Sequence, residues 1–335
     1  MADVATQQAA ESAGGEKKKR RKGGGVWRVV FWVSLVVFIG AISALGYIAW
    51  GYYSSDKGYK DVATQALVAA DTKAAEVMQE QAEPEEAGLT LADLEVDWDY
   101  LRSVNPDVVA WVYMPGTRIN YPVVHGVDND QYLWTDFNRT SSRNGSIFVD
   151  SENSGKFDDA NNVLYGHHMN DGSMFACVSN VLPDPGEFNA HRTIYVLTPT
   201  LNYKCRTFSI IKTNGWELLV QTSFADDKEK TEYIQDKMNR SVVQPDDGMP
   251  NVADITRLFT FSTCDYGQDN GRAVMFAQAV DTAVPKSAPQ DQGSSSSQSS
   301  SQGTASSDAA EEQAPVEVSE EDQAALGEGV ARAEE

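Results

Sequence analysis

The sequence is poor in the residues on which several protein classes depend. Three cysteines among 335 residues cannot build a fully paired disulfide framework, which excludes a small cystine-stapled scaffold. The 27 lysines and arginines are outnumbered by 49 aspartates and glutamates, and the net charge is −22. Because binding to phosphates requires clustered basic side chains, this charge argues against a nucleic-acid partner. The spacings H-E-x-x-H and C-x-x-C do not occur, so we expect no metal site, and no motif predicts a cofactor.

An uncharged run follows a short basic segment near the N-terminus. Residues 17–22 are all basic, and residues 29–50 carry no charge. At about 1.5 Å per residue, a helix over this run is roughly 33 Å long, which suffices to cross a bilayer core of about 30 Å. A basic flank stays in the cytoplasm by the positive-inside rule. We therefore predict a cytoplasmic tail (1–25) and a single membrane-spanning signal-anchor (26–53) in contact with lipid, with the rest of the chain outside the cell.

A cleaved signal peptide is the alternative interpretation of this run. The apolar region of a signal peptide is typically only about 7–15 residues long, and the run here is longer. No clean A-x-A cleavage site precedes a mature start. The length of the run therefore favours an uncleaved anchor in the cell membrane.

Composition divides the remainder of the chain into three segments. Residues 54–88 are predicted to form a helical stalk or linker, because the apolar stripe of the helix over 59–82 is thin and rich in alanine. Residues 89–284 have the composition of an ordinary globular domain. Residues 285–335 consist largely of Ser, Gln, Ala and Glu and offer too little apolar surface to fold, so we predict a disordered acidic tail.

Eight short β-type runs lie within the globular segment, and Pro, Gly, Asn and Asp fill most of the gaps between them. The runs are 108–114, 119–124, 146–149, 162–165, 193–198, 204–212, 257–263 and 272–280. Short strands with frequent turn signals are typical of a barrel or a sandwich. Helices are expected over 91–104, 173–182 and 226–240. The predicted class is mainly β with added helices.

Two of the four histidines, His167 and His168, stand side by side just after a predicted strand. An imidazole has an unperturbed pKa near 6.5 and can therefore serve as a general acid or base. A surface turn with no chemical role is the alternative interpretation. Adjacent side chains point in different directions, which argues against the pair as zinc ligands.

Cys264 ends an apolar run and precedes a polar turn, a position where catalytic groups often lie. A thiol attacks only as the thiolate and needs a nearby imidazole or cation. If the last two runs pair as a hairpin, Arg272 lies across the turn from Cys264 and could donate hydrogen bonds to an oxyanion. A small buried hydrophobic side chain is the alternative role for Cys264. The role of a small buried hydrophobic side chain fits Cys177 and Cys205 better, although those two cysteines could also pair as a disulfide.

Several short segments occur in an order that resembles the sortases, and specifically the class B sortase family. The segments are 105–112, 119–124, 128–133, 164–175, 262–264 and 269–272. The resemblance covers roughly residues 98–282 and implies a sortase-type eight-stranded β-barrel, which makes 89–284 the catalytic domain. It also implies a membrane-anchored cysteine transpeptidase of a Gram-positive cell surface. Phe261 stands where the family commonly has leucine, a conservative change.

Carried over by position, the resemblance assigns roles to single residues. It implies Cys264 as the nucleophile, Arg272 as the group that holds the oxyanion, and His167, the first histidine after Tyr-Gly, as the catalytic acid and base. The residues implied to line the groove for the substrate are Asn129, Leu133, Tyr165, Ser262 and Thr263.

The implied reaction is a transpeptidation on the C-terminal sorting signal of a surface protein, of the type Asn-Pro-x-Thr or Leu-Pro-x-Thr-Gly. The Cys264 thiolate attacks the threonine carbonyl, and an amine of a peptidoglycan precursor or a pilin lysine then resolves the thioester. Two other classes stay open on the sequence alone. One is a secreted Cys/His peptidase that releases its product to water, and the other is a non-catalytic, membrane-tethered binding module.

Overall fold

Eight strands form the framework of the protein in a computed structural model that describes residues 24–68, 73–215, 220–267 and 269–288. The strands are β1 (Val108–Tyr113), β2 (Asn120–His125), β3 (Ile147–Val149), β4 (Asn161–Tyr165), β5 (Thr193–Leu197), β6 (Asn202–Asn214), β7 (Leu258–Asp265) and β8 (Gly271–Ala283). They close into a barrel in the order β1-β2-β3-β4-β7-β8-β6-β5. Each strand coincides with one predicted run, so the prediction of a mainly β fold built on an eight-stranded barrel is confirmed.

The two longest strands, β6 and β8, extend beyond their predicted runs. Each has 13 residues, and they pair in antiparallel fashion along their length. The predicted run for β6 is shorter because Asn202 and Asn214 resemble turn residues, yet both pair with β8 in the ladder. Two irregularities in this pairing, near Cys205 and Ser209, mark bulges. Bulges increase the local twist and bend of long strands, as closure of a barrel requires.

The alternation of side chains along β8 separates two apolar clusters. Ala273, Met275 and Ala277 belong to the main cluster, whereas Val274 and Phe276 belong to a second cluster. Neighbouring residues of a strand point to opposite faces of the sheet, so the two clusters lie on opposite faces of this strand. The second cluster also contains residues of α6 (Asp227–Asn239), which therefore covers this side of the sheet.

The N-terminal part of the described chain is one long helix, α1 (Gly24–Val68), of 45 residues. Its first half exposes large apolar side chains and is long and apolar enough to cross a membrane. The helix continues past the end of the predicted span, 26–53, without a break. The predicted anchor and the first part of the segment predicted as a stalk, up to Val68, are therefore one continuous helix.

The segment predicted as a stalk, 54–88, packs on the barrel. The second half of α1 buries Tyr59, Val62 and Leu67, and α2 (Lys73–Gln79) buries Met78. All four belong to the main core cluster of the barrel. The structure thus packs these helices into the core, where the sequence predicted a helical stalk or linker. The sequence pattern looked weak because several of the other buried positions on these helices are alanines, whose small side chains allow close packing.

The other helices agree with the predicted positions in part. In place of one helix over 91–104 there is a short 3₁₀ turn, Leu91–Asp93, followed by α3 (Trp98–Val104), which begins where Asp97 accepts a hydrogen bond from the backbone of Tyr100. The next helices in chain order are α4 (Ala176–Asn180) and α5 (Pro185–Ala190). α5 was not predicted, although its cap, Asp184, and its first-turn proline are the usual start signals of a helix.

The two predicted tails fall mostly outside the described residues. Of the basic segment, 1–25, the structure describes only the last two residues, and of the acidic segment, 285–335, only the first four. The predictions for both tails therefore stay predictions.

Candidate active site

The parallel pairing of β4 and β7 brings together two residues that are far apart in the sequence. Tyr165 pairs with Ser262 at the ends of these strands, and the backbone N–H of Gly166 donates to the carbonyl of Ser262 at 3.1 Å. His167 and Cys264 each lie two residues beyond this pair, so the two adjacent strands deliver them to the same end of the barrel. A Cβ atom at Gly166 would lie 2.5 Å from Cδ1 of Ile147, which explains the glycine before His167.

Cys264 and Arg272 are direct partners across the antiparallel pair of β7 and β8. The predicted hairpin is therefore confirmed, and partners in register project from the same face of a sheet. Nη1 of Arg272 donates to the carbonyl of Gly271 at 2.9 Å and to Oδ1 of Asn270 at 3.2 Å. These contacts fix the guanidinium at the turn, beside the thiol.

The imidazole of His167 is held by the end of the short 3₁₀ turn Gln131–Leu133 and by the residue after it. Its Nε2 lies 2.7 Å from the carbonyl oxygen of Leu133, and its ring packs on the ring of Trp134 with 5.5 Å between centroids. A carbonyl only accepts hydrogen bonds, so Nε2 carries a proton and Nδ1 is the atom left to exchange one.

His168 makes different contacts from its neighbour. Its Nδ1 donates to the carbonyl of Cys264 at 2.9 Å, and its ring lies 4.7 Å from the ring of Tyr266. The hydroxyl of Tyr266 donates in turn to the carbonyl of His168 at 3.0 Å. His168 is buried. It therefore supports the backbone at the end of β7, while His167 borders the groove.

A groove of ≈ 310 Å³ opens at this end of the barrel, and all eight site residues named from the sequence line it. They are Asn129, Leu133, Tyr165, His167, Ser262, Thr263, Cys264 and Arg272. Asp130, Phe148 and Gly166 complete the lining. Two larger cavities of ≈ 460 Å³ each lie along α1 and contain none of these eight side chains. The chemistry-bearing residues thus share one groove.

One buried carboxylate at the groove was missed by the sequence analysis. Asp150 follows β3 directly and accepts hydrogen bonds from Asn129 and Tyr165. Burial, together with the nearby Asp150, raises the pKa of Tyr165 above its ordinary value, so its hydroxyl keeps its proton and donates. The available signal in the sequence was only that an acidic residue ends a short apolar run.

The three cysteines are all free thiols. Cys177 and Cys205 are buried, and Cys264 is half-buried at the groove. Burial raises the pKa of Cys177 to about 12 and raises that of Cys205 well above its ordinary value. Because Cys177 and Cys205 are both free thiols, the structure does not show the alternative of a disulfide between them. Among the residues that the structure describes, no group of three His, Cys, Asp or Glu side chains is placed to hold a metal ion.

Known proteins are similar to part of this chain in sequence and in fold. A family model described as a Sortase domain matches residues 112–280. The chain is 32% identical over 185 residues to Sortase B of Staphylococcus aureus, a match that covers 55% of this chain and 74% of that protein. The X-ray structure of Clostridium perfringens sortase B is similar at 34% identity with a TM-score of 0.52, covering 55% of this chain and 100% of that chain. For the structure of the Staphylococcus aureus sortase B–substrate complex, the identity is 32%, the TM-score 0.50 and the coverage 55% and 85%.

Proposed function

The chain belongs to the sortase family of cysteine transpeptidases, and from this membership we propose that it cleaves a C-terminal sorting signal after threonine and joins the new end to an amine. One observation carries the proposal. His167, Cys264 and Arg272 lie around a single open groove, although they come from three different segments of the chain. The other two thiols, Cys177 and Cys205, are buried in the core cluster.

Acylation is the first half of the proposed reaction. The Cys264 thiolate forms a bond to the threonine carbonyl carbon, and the peptide C–N bond breaks as the tetrahedral intermediate collapses. The contacts of Arg272 to Gly271 and Asn270 use Nη1, so its Nε and Nη2 are the donors that we assign to the oxyanion. The proton for the leaving amine comes from Nδ1 of His167, whose Nε2 is held by Leu133.

Deacylation reverses these roles. An acceptor amine attacks the thioester, the new C–N bond forms, and the C–S bond breaks to return the Cys264 thiolate. Nδ1 of His167 takes the proton that the attacking amine loses. We propose an amine of a peptidoglycan precursor or of a pilin lysine as the acceptor, as the class B resemblance implies.

The groove is the proposed binding site of the sorting signal. The structure of the Staphylococcus aureus enzyme was described as a complex with its substrate, and by analogy we place the signal along Asn129, Leu133, Tyr165, Ser262 and Thr263. Both signal types, Asn-Pro-x-Thr and Leu-Pro-x-Thr-Gly, are candidates.

We also propose that α1 anchors the enzyme in the cell membrane with its N-terminus in the cytoplasm. Trp27 and Trp32 are exposed near one end of the apolar part, and Trp50 and Tyr53 near the other. Aromatic residues at both ends of a span are typical of the two membrane–water interfaces. Six basic residues, 17–22, precede the span and favour the cytoplasmic side.

The proposed reaction is tested with the full chain in detergent micelles. Quenched fluorescent peptides bearing either signal are incubated with and without triglycine as the amine, and the products are identified by mass spectrometry. We expect amine-ligated product from the wild type and none from Cys264→Ala, with Cys177→Ala as a matched control that removes a thiol outside the groove. Product released only to water would favour a peptidase, and cleavage by Cys264→Ala would exclude Cys264 as the nucleophile.

A further inference from the structure

A buried carboxylate supports the groove wall that we assign to the sorting signal. Asp150 is only 6% exposed, although it is an ionisable residue. We propose that Asp150 is a positioning residue: it orients the amide of Asn129 and the hydroxyl of Tyr165 so that both bind the backbone of an extended peptide. This inference rests on the proposed function, because it concerns the same groove.

The Asp150 carboxylate connects three parts of the chain. Its Oδ2 accepts from Nδ2 of Asn129 at 3.1 Å and from the hydroxyl of Tyr165 at 2.8 Å. Its Oδ1 accepts from the backbone N–H of Glu152 at 2.9 Å. The backbone N–H of Asp150 itself donates to Val163 of β4 at 2.9 Å. A carboxylate bound on both oxygens and held by its own backbone has little freedom to turn.

These contacts decide which atoms Asn129 and Tyr165 can offer to a ligand. Oδ1 of Asn129 accepts from the backbone N–H of Ser151 at 2.8 Å, so both ends of this amide are fixed. An amide nitrogen carries two hydrogens, and Asp150 takes only one of them, which leaves the other to donate. The Tyr165 hydrogen is directed at Asp150, so its hydroxyl can serve a ligand only as an acceptor.

One donor and one acceptor along a groove match the alternating C=O and N–H groups of an extended peptide. Every sorting signal presents these backbone groups, whatever its side chains. Asp150 therefore contributes to affinity and not to the choice between signals. The carboxylate is also needed for its two acceptor oxygens, because an amide at position 150 would turn its own N–H₂ either toward both side-chain donors or toward the backbone N–H of Glu152.

The test measures binding separately from chemistry. The full chain carrying Cys264→Ala, in micelles, is titrated into fluorescent Asn-Pro-x-Thr and Leu-Pro-x-Thr-Gly peptides, and Kd is read from anisotropy. We expect a further Asp150→Asn substitution to raise Kd about tenfold for whichever signals bind, by the same factor for each. In the active enzyme, the same substitution should raise KM about tenfold and change kcat less than about threefold.

A second variant and a control separate positioning from folding. Tyr165→Phe should raise Kd less than Asp150→Asn, and the double variant should bind no more weakly than Asp150→Asn alone, because the two act through one contact. Asp107→Asn neutralises the carboxylate of a comparable contact, that of Asp107 with the Tyr132 hydroxyl at 2.7 Å, outside the groove lining, and should leave Kd unchanged.

The outcomes distinguish this proposal from the proposed function. If the Cys264→Ala chain binds peptide and the wild type ligates it, but Asp150→Asn changes Kd less than twofold, Asp150 has no positioning role. An equal increase in Kd and an equal decrease in melting temperature in the Asp150 and Asp107 variants would also reject it in favour of a structural role. If the Cys264→Ala chain binds neither peptide and the wild type cleaves neither, the proposed function fails, and this inference fails with it.

Discussion

Two adjacent histidines contribute different contacts to the site. His167 lines the groove with Nε2 fixed by Leu133, whereas His168 donates to the carbonyl of Cys264. We expect His167→Ala to lower kcat about 10²–10⁴-fold, the usual contribution of a positioned side chain that transfers protons. His168→Phe keeps a ring against Tyr266 and should retain at least about a tenth of the wild-type kcat, because it loses one hydrogen bond.

Steady-state ligation by the full chain in micelles, together with the melting temperature of each variant, measures this difference. Similar losses of kcat in the two variants, at unchanged melting temperatures, would contradict the assignment of the acid and base to His167.

The three thiols should differ in reactivity. The pKa of Cys177 is raised to about 12 and that of Cys205 is raised well above normal, so both are protonated at pH 8, and a protonated thiol is a poor nucleophile. Because these pKa values are raised, the two thiols should begin to react only as the pH rises toward them or as the protein unfolds. We expect iodoacetamide at pH 8 to alkylate Cys264 alone in the folded protein.

Peptide mass spectrometry after timed labelling follows each cysteine, and labelling in urea, where all three should react, provides the control. Alkylation of Cys177 as fast as Cys264 in the folded protein would show that its burial is lost in solution.

The helices before the barrel are part of its core, so their removal should destabilise it. Tyr59, Val62, Leu67 and Met78 are at most 7% exposed. Burial of one such side chain contributes roughly 1.5–3 kcal/mol. We expect a fragment of residues 89–288 to be less stable than one of residues 54–288 by more than about 3 kcal/mol. This limit lies below the summed contributions of the four side chains, because the helices lose conformational freedom when they pack.

Urea unfolding followed by circular dichroism compares the two fragments. Equal midpoints and slopes would show that the helices pack only weakly on the barrel. The result also decides which fragment suits kinetic work.

Tyr59 connects α1 to residues 133–145, whose first residue holds His167. Its hydroxyl donates to the carbonyl of Gly145 at 2.6 Å and accepts from the backbone of Phe137 at 3.3 Å. We expect Tyr59→Phe to lower the free energy of unfolding by about 1–3 kcal/mol, because the buried carbonyl loses its donor. Since residues 133–145 begin with Leu133, which holds His167, kcat should fall as well. Tyr53→Phe, on the exposed part of α1, is the matched control. If Tyr59→Phe lowers neither the free energy of unfolding nor kcat, the connection is contradicted.

The strands could be predicted because their signals are local, whereas the packing of the helices could not. Alternating apolar residues and turn residues mark β1 to β8 in the sequence itself. The proximity of His167 to the end of β7 was implied only by a family resemblance, since sequence spacing says nothing about the pairing of β4 with β7. The burial of Ala66 and Ala74 escaped prediction because alanine adds little to an apolar pattern. Asp150 escaped it because an aspartate after a strand is also an ordinary turn residue.

The complete chain should have a single orientation in the membrane. Six basic residues, 17–22, precede the apolar part of α1, and the barrel follows it. We expect an alkaline phosphatase fusion after residue 288 to be active and a fusion ahead of residue 17 to be inactive, since the phosphatase folds only outside the cytoplasm. Replacing residues 17–22 by glutamine should weaken this preference, because the positive-inside rule depends on lysine and arginine. Equal activity of the two original fusions would contradict the proposed orientation.

The unbroken course of α1 limits where the enzyme can work. With residues 26–53 in the bilayer, Tyr59 lies only about 9 Å further along the helix axis, at about 1.5 Å per residue. The barrel is then held beside the lipid surface by a stiff connection and cannot sweep a wide volume. In that placement the groove samples only the layer next to the bilayer. We therefore expect a signal whose own protein is attached to the same membrane to meet the enzyme more often than one on a released protein.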